Sequence, residues 1–291
     1  MKSITYTFII PHKNSPVLLQ RCVNSIPDRE DVQVIVVDDN SAEGRKPDGL
    51  RHGVEIISLG PEESNGAGHA RNVGLSKAKG QWILFVDADD WYSEDFITII
   101  EKYKNTDNEV VFFNFNIENG DKLKGSELSR WKYVQQRITS KDPQYLKFCF
   151  HVPWDKMISK AFIEQHNITF EEVVLGNDIQ FSLLVGYYAR QYQIIDNHIY
   201  NYFINGQSLS FGFRSVEKLM CVIEGWYKVN AFYNYIGLKG KNTNIPLQFA
   251  KMLFHNRKRA LVILVQFIEK QSHFSKVKKK YVKRISVDGQ A

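Results

Sequence analysis

Residues 81–92, QWILFVDADDWY, decide the reading of this chain, because the apolar run Trp82 to Val86 stops abruptly on Asp87, Asp89 and Asp90. A short unbroken apolar run bounded by a turn signal marks a strand buried on both faces. Residues two apart in an extended chain point the same way, so Asp87 and Asp89 can share one side of the strand's exit. The carboxyl end of a parallel strand is where open α/β sheets bind ligands. Paired carboxylates there are hard oxygen ligands, suited to Mg²⁺ or Mn²⁺ completed by substrate phosphates. An alternative assigns Asp89 and Asp90 to the start of the next helix, with Ser93 as N-cap and Glu94 and Asp95 in its first turn. That accounts for the later acids and leaves Asp87, at the end of a buried strand, unexplained.

Upstream of this stretch, β-branched and aromatic runs alternate with helical patterns. Tyr6 to Ile10 reads as a first strand ending at Pro11, followed by a helix over Pro16 to Ile26. Val32 to Val37 is a buried strand closing on Asp38, Asp39, Asn40 and Ser41, a second acidic strand end. Val54 to Leu59 is a third strand, and NGAG at 65–68 opens a helix that runs to about Lys77 and carries His69, Arg71 and Asn72. This alternation predicts βαβ units and a mainly parallel sheet. NGAGHARN is not G-x-G-x-x-G, and no P-loop pattern occurs, so a bound diphosphate would depend on metal and basic groups.

Downstream, Glu109 to Ile117 reads as a strand, and the polar, weakly periodic segment Asn119 to Lys141 as a variable excursion over the site. A short helix is expected from Asp142 to Phe150, a brief strand at Lys156 to Ile158 with a helix after it, and a strand at Gln193 to Phe203 followed by a loop, NGQSLS. Leu175, Gly176, Asn177 and Asp178 precede a helical pattern; an acid in a helix's first turn suits either an N-cap or a poised carboxylate base. Helices over Val216 to Tyr235 and Pro246 to Lys270 close the chain, with Phe249, Met252, Leu253, Ala260, Leu261 and Leu264 as one apolar face against Lys251, Arg257, Lys258 and Arg259. Such a helix packs on the domain or lies on a membrane surface.

With 291 residues, 43% of them hydrophobic, the chain can bury a full core, as one large domain or as a domain with a helical appendage. The division expected is residues 1–212 and 213–291. The net charge of +6 is moderate and concentrated late, in Lys276, Lys278, Lys279, Lys280, Lys283 and Arg284. A nucleic-acid partner is not expected, since only Phe274 and Tyr281 could stack within that basic run. Cys22, Cys149 and Cys221 form neither a disulfide framework nor a zinc pattern, which favours a reducing compartment. No stretch reads as a signal peptide or bilayer span, so the expectation is a cytoplasmic protein, with possible peripheral contact at the inner membrane face through the basic C-terminal region.

FIIPHKN at the start, VIVVDDNS, GHARNVGLSKAKGQWILFVDADD and GND before a helix together resemble family 2 glycosyltransferases of the GT-A fold, especially bacterial enzymes that build surface polysaccharides. The resemblance runs over about residues 4–210. It implies a mixed, mainly parallel α/β sheet flanked by helices, with a helical C-terminal extension. It also implies an inverting enzyme that uses Mn²⁺ or Mg²⁺ to move sugar from a nucleotide donor, a uridine diphosphate sugar, to a saccharide or lipid-linked saccharide. By that resemblance Pro11 and Asp39 hold the nucleotide base, and Asp38 supports their loop or serves as a turn residue. Arg71 and Asn72 brace the metal loop or approach the diphosphate; a salt bridge within the acidic cluster explains Arg71 equally well. Asp89 would bind the metal, Asp87 would act through ribose or a metal-bound water, and Asp90 would support them from behind. Asp178 matches the catalytic base, with Asn177 where the family often has Glu. Trp154 and Lys156 match a segment on the acceptor side, although a core Trp beside an exposed Asp155–Lys156 pair explains them nearly as well. The rival reading is a non-catalytic sugar-nucleotide or polysaccharide-binding relative of the same fold.

Overall fold

The structure, a computed structural model, describes residues 3–118, 126–173, 175–204, 215–238 and 240–276, with Lys279 and Val282. The expected NGQSLS loop, the 212/213 boundary and most of the basic tail lie outside the described residues. The chain divides into two compact units, Met1–Val173 with Gln180–Ser208 and Val174–Ile179 with Leu209–Ala291.

The first unit is built on eight strands: β1 (Tyr6–His12), β2 (Val32–Asp38), β3 (Val54–Ser58), β4 (Trp82–Phe85), β5 (Trp91–Tyr92), β6 (Val110–Glu118), β7 (Lys156–Ser159) and β8 (Tyr192–Phe203). They form one sheet in the order β3-β2-β1-β4-β7-β6-β8-β5. β1 pairs parallel with both β2 and β4, and β2 with β3, while β7 runs antiparallel between β4 and β6. β6 and β8 are again parallel, and the two-residue β5 runs antiparallel to β8. The mixed, mainly parallel sheet is therefore as expected. Its strand order reverses at β1, with β2 and β3 on one side and β4 on the other. A crevice opens at such a switch point, outside the carboxyl ends of the strands.

The apolar runs of the sequence explain the core. β1, β2 and β4 are covered on both faces, with Phe8, Ile9, Ile35, Val36, Ile83 and Phe85 almost fully buried. α1 (Pro16–Asn24) follows β1, and α2 (Gly66–Lys77) packs on β1 and β2. Gly74 makes that second packing possible: a Cβ there would lie 2.5 Å from Ile9 Cγ2, so a larger residue would lift α2 off the sheet. After β5 comes α3 (Phe96–Ile100), whose Asp95 cap makes no side-chain capping bond; Ser93 instead donates to Asp95 Oδ1. The helix begins too late to include Asp89 and Asp90.

Two expectations about elements need correction. Within the expected excursion at 119–141, Ser126–Thr139 is a helix, α4, packed on β6 and β8. Val134 and Ile138 are buried, and Trp131 sits edge-on to Phe115 and Phe150. Too few apolar residues mark its face for the period to stand out among the charges. α5 (Pro143–Phe148) follows, capped by Asp142 accepting from the Tyr145 N–H, then α6 (Lys160–Gln165) and α7 (Asn177–Tyr188).

The second unit is helical. α8 (Val216–Tyr235), α9 (Ile245–His255) and α10 (Ala260–Glu269) surround a small core of Leu219, Met220, Ile223, Phe249, Ile263 and Phe274. The single helix expected over Pro246 to Lys270 is broken. α9 stops at His255, Asn256 and a 3₁₀ turn at Arg257–Arg259 intervene, and α10 starts afresh. Phe249 and Met252 pack inward as foreseen, whereas Leu261 and Leu264 point outward at 73% and 39% exposure. Among the described residues no helix is long and apolar enough to cross a membrane.

Candidate active site

β1, β2 and β4 are adjacent and parallel, so their carboxyl ends bring three loops together: His12–Ser15, Asp38–Ala42 and Asp87–Asp90. The register sets Ile9 opposite both Ile35 and Phe85 and His12 opposite Asp38. Pro11 stands beyond the last β1–β4 partner, and Asp39 continues the β1–β2 seam through its N–H, which donates to His12 O at 2.8 Å.

At the β2 end the first acid is internal. Asp38 is buried and accepts from His12 Nδ1 at 2.8 Å, from the Ser41 N–H at 3.2 Å and from the Ser41 hydroxyl. His12 Nε2 accepts from the Ser15 N–H at 3.1 Å, which places the ring proton on Nδ1, toward Asp38. Asn14 and Asn40, both at positive φ (59° and 56°), turn the two loops. Asn14 cross-links them, its N–H donating to Ser41 Oγ and its side-chain oxygen accepting from the Ala42 N–H, each at 2.8 Å. The Asp38 carboxylate therefore shapes the loop. Asp39 is also largely enclosed, but it meets a different environment: Lys13 Nζ lies 3.1 Å from Oδ2, and the Gly66 N–H, at the start of α2, donates to Oδ1 at 3.4 Å. A cation and a helix N-terminus thus both face this side chain.

At the β4 end the order is reversed, and the last acid is the internal one. The Asp90 N–H closes a turn onto Asp87 O at 3.0 Å. The Asp90 carboxylate is 1% exposed and accepts from Tyr200 Oη at 2.6 Å and from the Phe203 N–H at 2.7 Å, both on β8. The same Tyr200 hydroxyl accepts from the Asp87 N–H at 3.1 Å, so one phenol fixes both ends of the acidic turn. Burial, followed by the charges of Asp89 and Asp87, pushes Asp90 well above the ordinary carboxylate range. Arg21, from α1, lies over the rings of Trp91 and Phe203 and donates to the Asp89 carbonyl at 2.6 Å. Held by its backbone, Asp89 keeps a partly exposed side chain.

Asp87 is 31% exposed at its side chain and pairs with Arg71 Nη2 at 2.6 Å. Of the two readings of Arg71, the structure displays the ion pair; the guanidinium is buried and also lies over the Phe170 ring. Asn72 faces elsewhere than expected. It donates to Phe170 O and Glu172 Oε1 and accepts from the Phe170 N–H, tying residues 170–172 to α2. Glu172 also receives Asn65 and pairs with His69 at 3.0 Å, and these donors, His69 first, hold it below the usual carboxylate range.

Trp154 and Lys156 occupy the interior, and the expectation of an exposed Asp155–Lys156 pair is overturned. Trp154 is stacked flat on Tyr200, 4.6 Å between centroids, and on Tyr202. Asp155 and Lys156 are 1% and 3% exposed and paired with each other, Lys156 Nζ also donating to Val152 O. Burial raises the Asp155 pKa against the pull of Lys156. A lysine four bonds long beside an apolar strand is buried here because its partner is the preceding residue, which no periodicity reveals. Asp178 lies in the first turn of α7, half-buried, after Asn177 and after Gly176, whose φ of +73° only glycine adopts readily. Ile179 then lies close over Gly225 of α8, where an added Cβ would come within 3.2 Å, so the small residue fixes how that turn is seated.

The donor set fits a divalent cation of one kind. Among the described residues no three His, Cys, Asp or Glu side chains gather as a metal cage. A hard cation completed by diphosphate oxygens and water needs only one or two carboxylates, and Asp89 with Asp87 offers that. Residues that the sequence reading passed over do much of the positioning: Tyr200, Arg21, His12 and Lys13. His12 had a signal, its place one residue beyond Pro11 on a strand whose neighbour ends in acids.

The switch point of the sheet, the acidic turn at the end of β4 and the polar loop pair at the ends of β1 and β2 therefore lie together at the carboxyl ends of adjacent parallel strands. The chain belongs to glycosyl transferase family 2, whose sequence profile matches residues 7–166. EpsH of Bacillus subtilis is 23% identical over 224 residues, 72% of this chain and 63% of EpsH. The poly(ribitol-phosphate) beta-N-acetylglucosaminyltransferase TarS of Staphylococcus aureus is 24% identical over 226 residues, 73% of this chain and 38% of TarS. The matched stretch is thus less than two thirds of either relative's length. The crystal structure of S. aureus TarS 1–349 in complex with UDP-GlcNAc aligns with a TM-score of 0.59 at 17% identity, covering 97% of this chain and 89% of that one. At that identity the likeness is one of fold, and the fold is GT-A.

Proposed function

We propose that this chain transfers a sugar from a uridine diphosphate sugar to a hydroxyl of a saccharide or lipid-linked saccharide, with inversion, in the synthesis of a bacterial surface polysaccharide. The observation that carries the proposal is the Asp87–Asp90 turn, fixed by Tyr200 and Arg21 at the switch point of the sheet. The relative crystallised with UDP-GlcNAc supports a donor of this class.

In this reading Asp39, positioned by Lys13 and the Gly66 N–H, accepts a hydrogen bond from N3–H of uracil, while Pro11 and the loop shaped by Asp38 form the wall beside it. Asp87, paired with Arg71, would act through ribose or a metal-bound water, and Asp89 would hold Mn²⁺ or Mg²⁺. The bound cation would neutralise charge on the departing nucleoside diphosphate. Asp178 takes the proton from the acceptor hydroxyl as it attacks the anomeric carbon from the opposite side, so one base suffices and the configuration inverts. Residues 1–212 form the transferase domain and 213–291 the helical region in the same proposal.

Incubating the chain with Mn²⁺ and a panel of nucleotide sugars, and measuring released nucleoside diphosphate, tests the activity; tight binding with no release from any donor and acceptor would favour a non-catalytic binder. Asp178→Asn keeps size and removes the base, so turnover falls by about 10²- to 10⁴-fold while uridine diphosphate affinity stays unchanged. Near-normal turnover in that variant would leave Asp178 a helix-terminus residue.

A further inference from the structure

α10 has apolar residues all round, ALVILVQFIE, yet only its inner side is covered. Ile263 is fully buried, and Phe267 stacks on Phe249, 4.1 Å between centroids. The outer side carries Leu261, Leu264, Val265 and Ile268, at helical spacings of three and four, with exposures of 73%, 39%, 46% and 61%, and Val262 at 52% widens the stripe. A helix apolar on every side is ordinarily interior, and a contiguous exposed apolar patch marks a contact surface.

The charge around this stripe identifies its partner. The 3₁₀ turn immediately before α10 is Arg257–Lys258–Arg259, and none of the three is buried. Over residues 209–291, the C-terminal part of the second unit, the sequence has sixteen lysines and arginines against four acids, Glu217, Glu224, Glu269 and Asp288. Two copies of so basic a segment repel one another, which disfavours self-association through the stripe. A soluble polyanion would satisfy the cations and leave the leucine, valine and isoleucine side chains in water. An anionic lipid surface satisfies both, because aliphatic side chains enter the acyl boundary while guanidinium and ammonium groups stay among the headgroups.

We propose that the outer face of α10, with the Arg257–Arg259 turn, is a docking surface for an anionic lipid bilayer. The helix lies in the interface without crossing it; Leu261, Val265 and Ile268 are the inserted side chains, and the basic turn sits at headgroup level. None of these residues belongs to the acidic turn, and the test is independent of whether the chain transfers sugar.

Flotation of the full chain with vesicles of phosphatidylglycerol and phosphatidylcholine, against vesicles of phosphatidylcholine alone, is the experiment. The wild-type chain floats with the anionic vesicles only. Leu261→Ser with Ile268→Ser, both at exposed positions whose replacement leaves the inner packing intact, lowers partitioning by at least about tenfold. Arg257→Gln with Lys258→Gln lowers it by about fivefold per cation removed, and added salt weakens the wild type more than this variant. Val17→Ser, at an exposed apolar position in the first unit (81%), floats as the wild type does. Equal flotation with neutral vesicles, or none with either, overturns the proposal. So does undiminished flotation of the double serine variant alongside equal binding of both proteins to soluble polyphosphate, which would make the segment a polyanion site. A dimer by light scattering that the double serine variant abolishes, in a wild type that does not float, would make the stripe an interface between copies.

Discussion

The two acidic strand ends look alike in sequence, VVDDNS after β2 and FVDADD after β4, yet the structure uses them in opposite order. At the β2 end the first acid, Asp38, is spent internally on His12 and Ser41, and the second, Asp39, is enclosed between a lysine and a helix N-terminus. At the β4 end the last acid, Asp90, is spent internally on Tyr200 and Phe203, and the earlier Asp87 and Asp89 are presented. Each end devotes one carboxylate to building the loop that carries the others. The counter-charges differ accordingly. Asp39 meets the ammonium of Lys13 and Asp87 the guanidinium of Arg71, whereas Asp89 is restrained through its backbone carbonyl by Arg21.

The sharpest way to break this contrast is Asp89→Ala. In the proposed mechanism it removes the direct metal ligand, and turnover in Mn²⁺ falls by about 10³-fold or more, the scale of several kcal/mol of lost charge stabilisation. Calorimetry with uridine diphosphate shows the accompanying loss of metal-dependent affinity, and unchanged affinity would contradict the assignment. Asp39→Asn acts on the other end and on another quantity. Dissociation of uridine diphosphate rises by about tenfold or somewhat more, the scale of one hydrogen bond to a charged group, with little change in turnover at saturating donor. A fall in turnover matching that of Asp89→Ala would erase the division of labour between the two ends.

Smaller effects probe the internal carboxylates. Tyr200→Phe deprives Asp90 of a donor and the Asp87 N–H of an acceptor in a buried place, so urea unfolding shows a loss of about 1–3 kcal/mol. Asp90 also makes stability depend on pH. Its pKa is raised on folding, so the native chain binds that proton more tightly than the unfolded one. The resulting stability is fully present below the ordinary carboxylate pKa and is lost as pH rises through the raised folded value. Asp90→Asn flattens that decline. The difference between its urea titration and that of the wild type, followed upward from acid pH, is the readout.

What could be read in the sequence was what neighbouring residues determine. The strands at 6–12, 32–38, 82–85 and 110–118 follow from apolar runs, and the acids at their ends follow from where those runs stop. α4 stayed hidden because Trp131, Val134 and Ile138 are few inward residues in a fourteen-residue stretch that is otherwise mostly polar or charged. The break at Asn256 stayed hidden for the contrary reason: α10 is apolar on every side, so no face existed to lose register. The position of Asp39, Asp87 and Asp89 at strand ends was legible, while Tyr200 and the Phe203 N–H as partners of the acidic turn were not, because Asp90 is more than a hundred residues earlier. The interior placement of Lys156 depends on Asp155 beside it and on the carbonyl of Val152, a local arrangement that resembles a surface charge pair when only residue types are read.

The bond from the Phe203 N–H to Asp90 spans 113 residues, and it has a consequence for the order of biosynthesis. A chain still on the ribosome has its D-A-D-D turn long before it has the strand that holds the turn. At ordinary elongation rates the delay is about 6–20 s, during which the nascent chain carries three acids within four residues, with Asp90 lacking its phenol and amide donors. The segment matched by the family profile ends at residue 166, before β8 begins. A fragment cut at that border would contain every acid at the β2 and β4 ends and still lack the clamp that orients the second set.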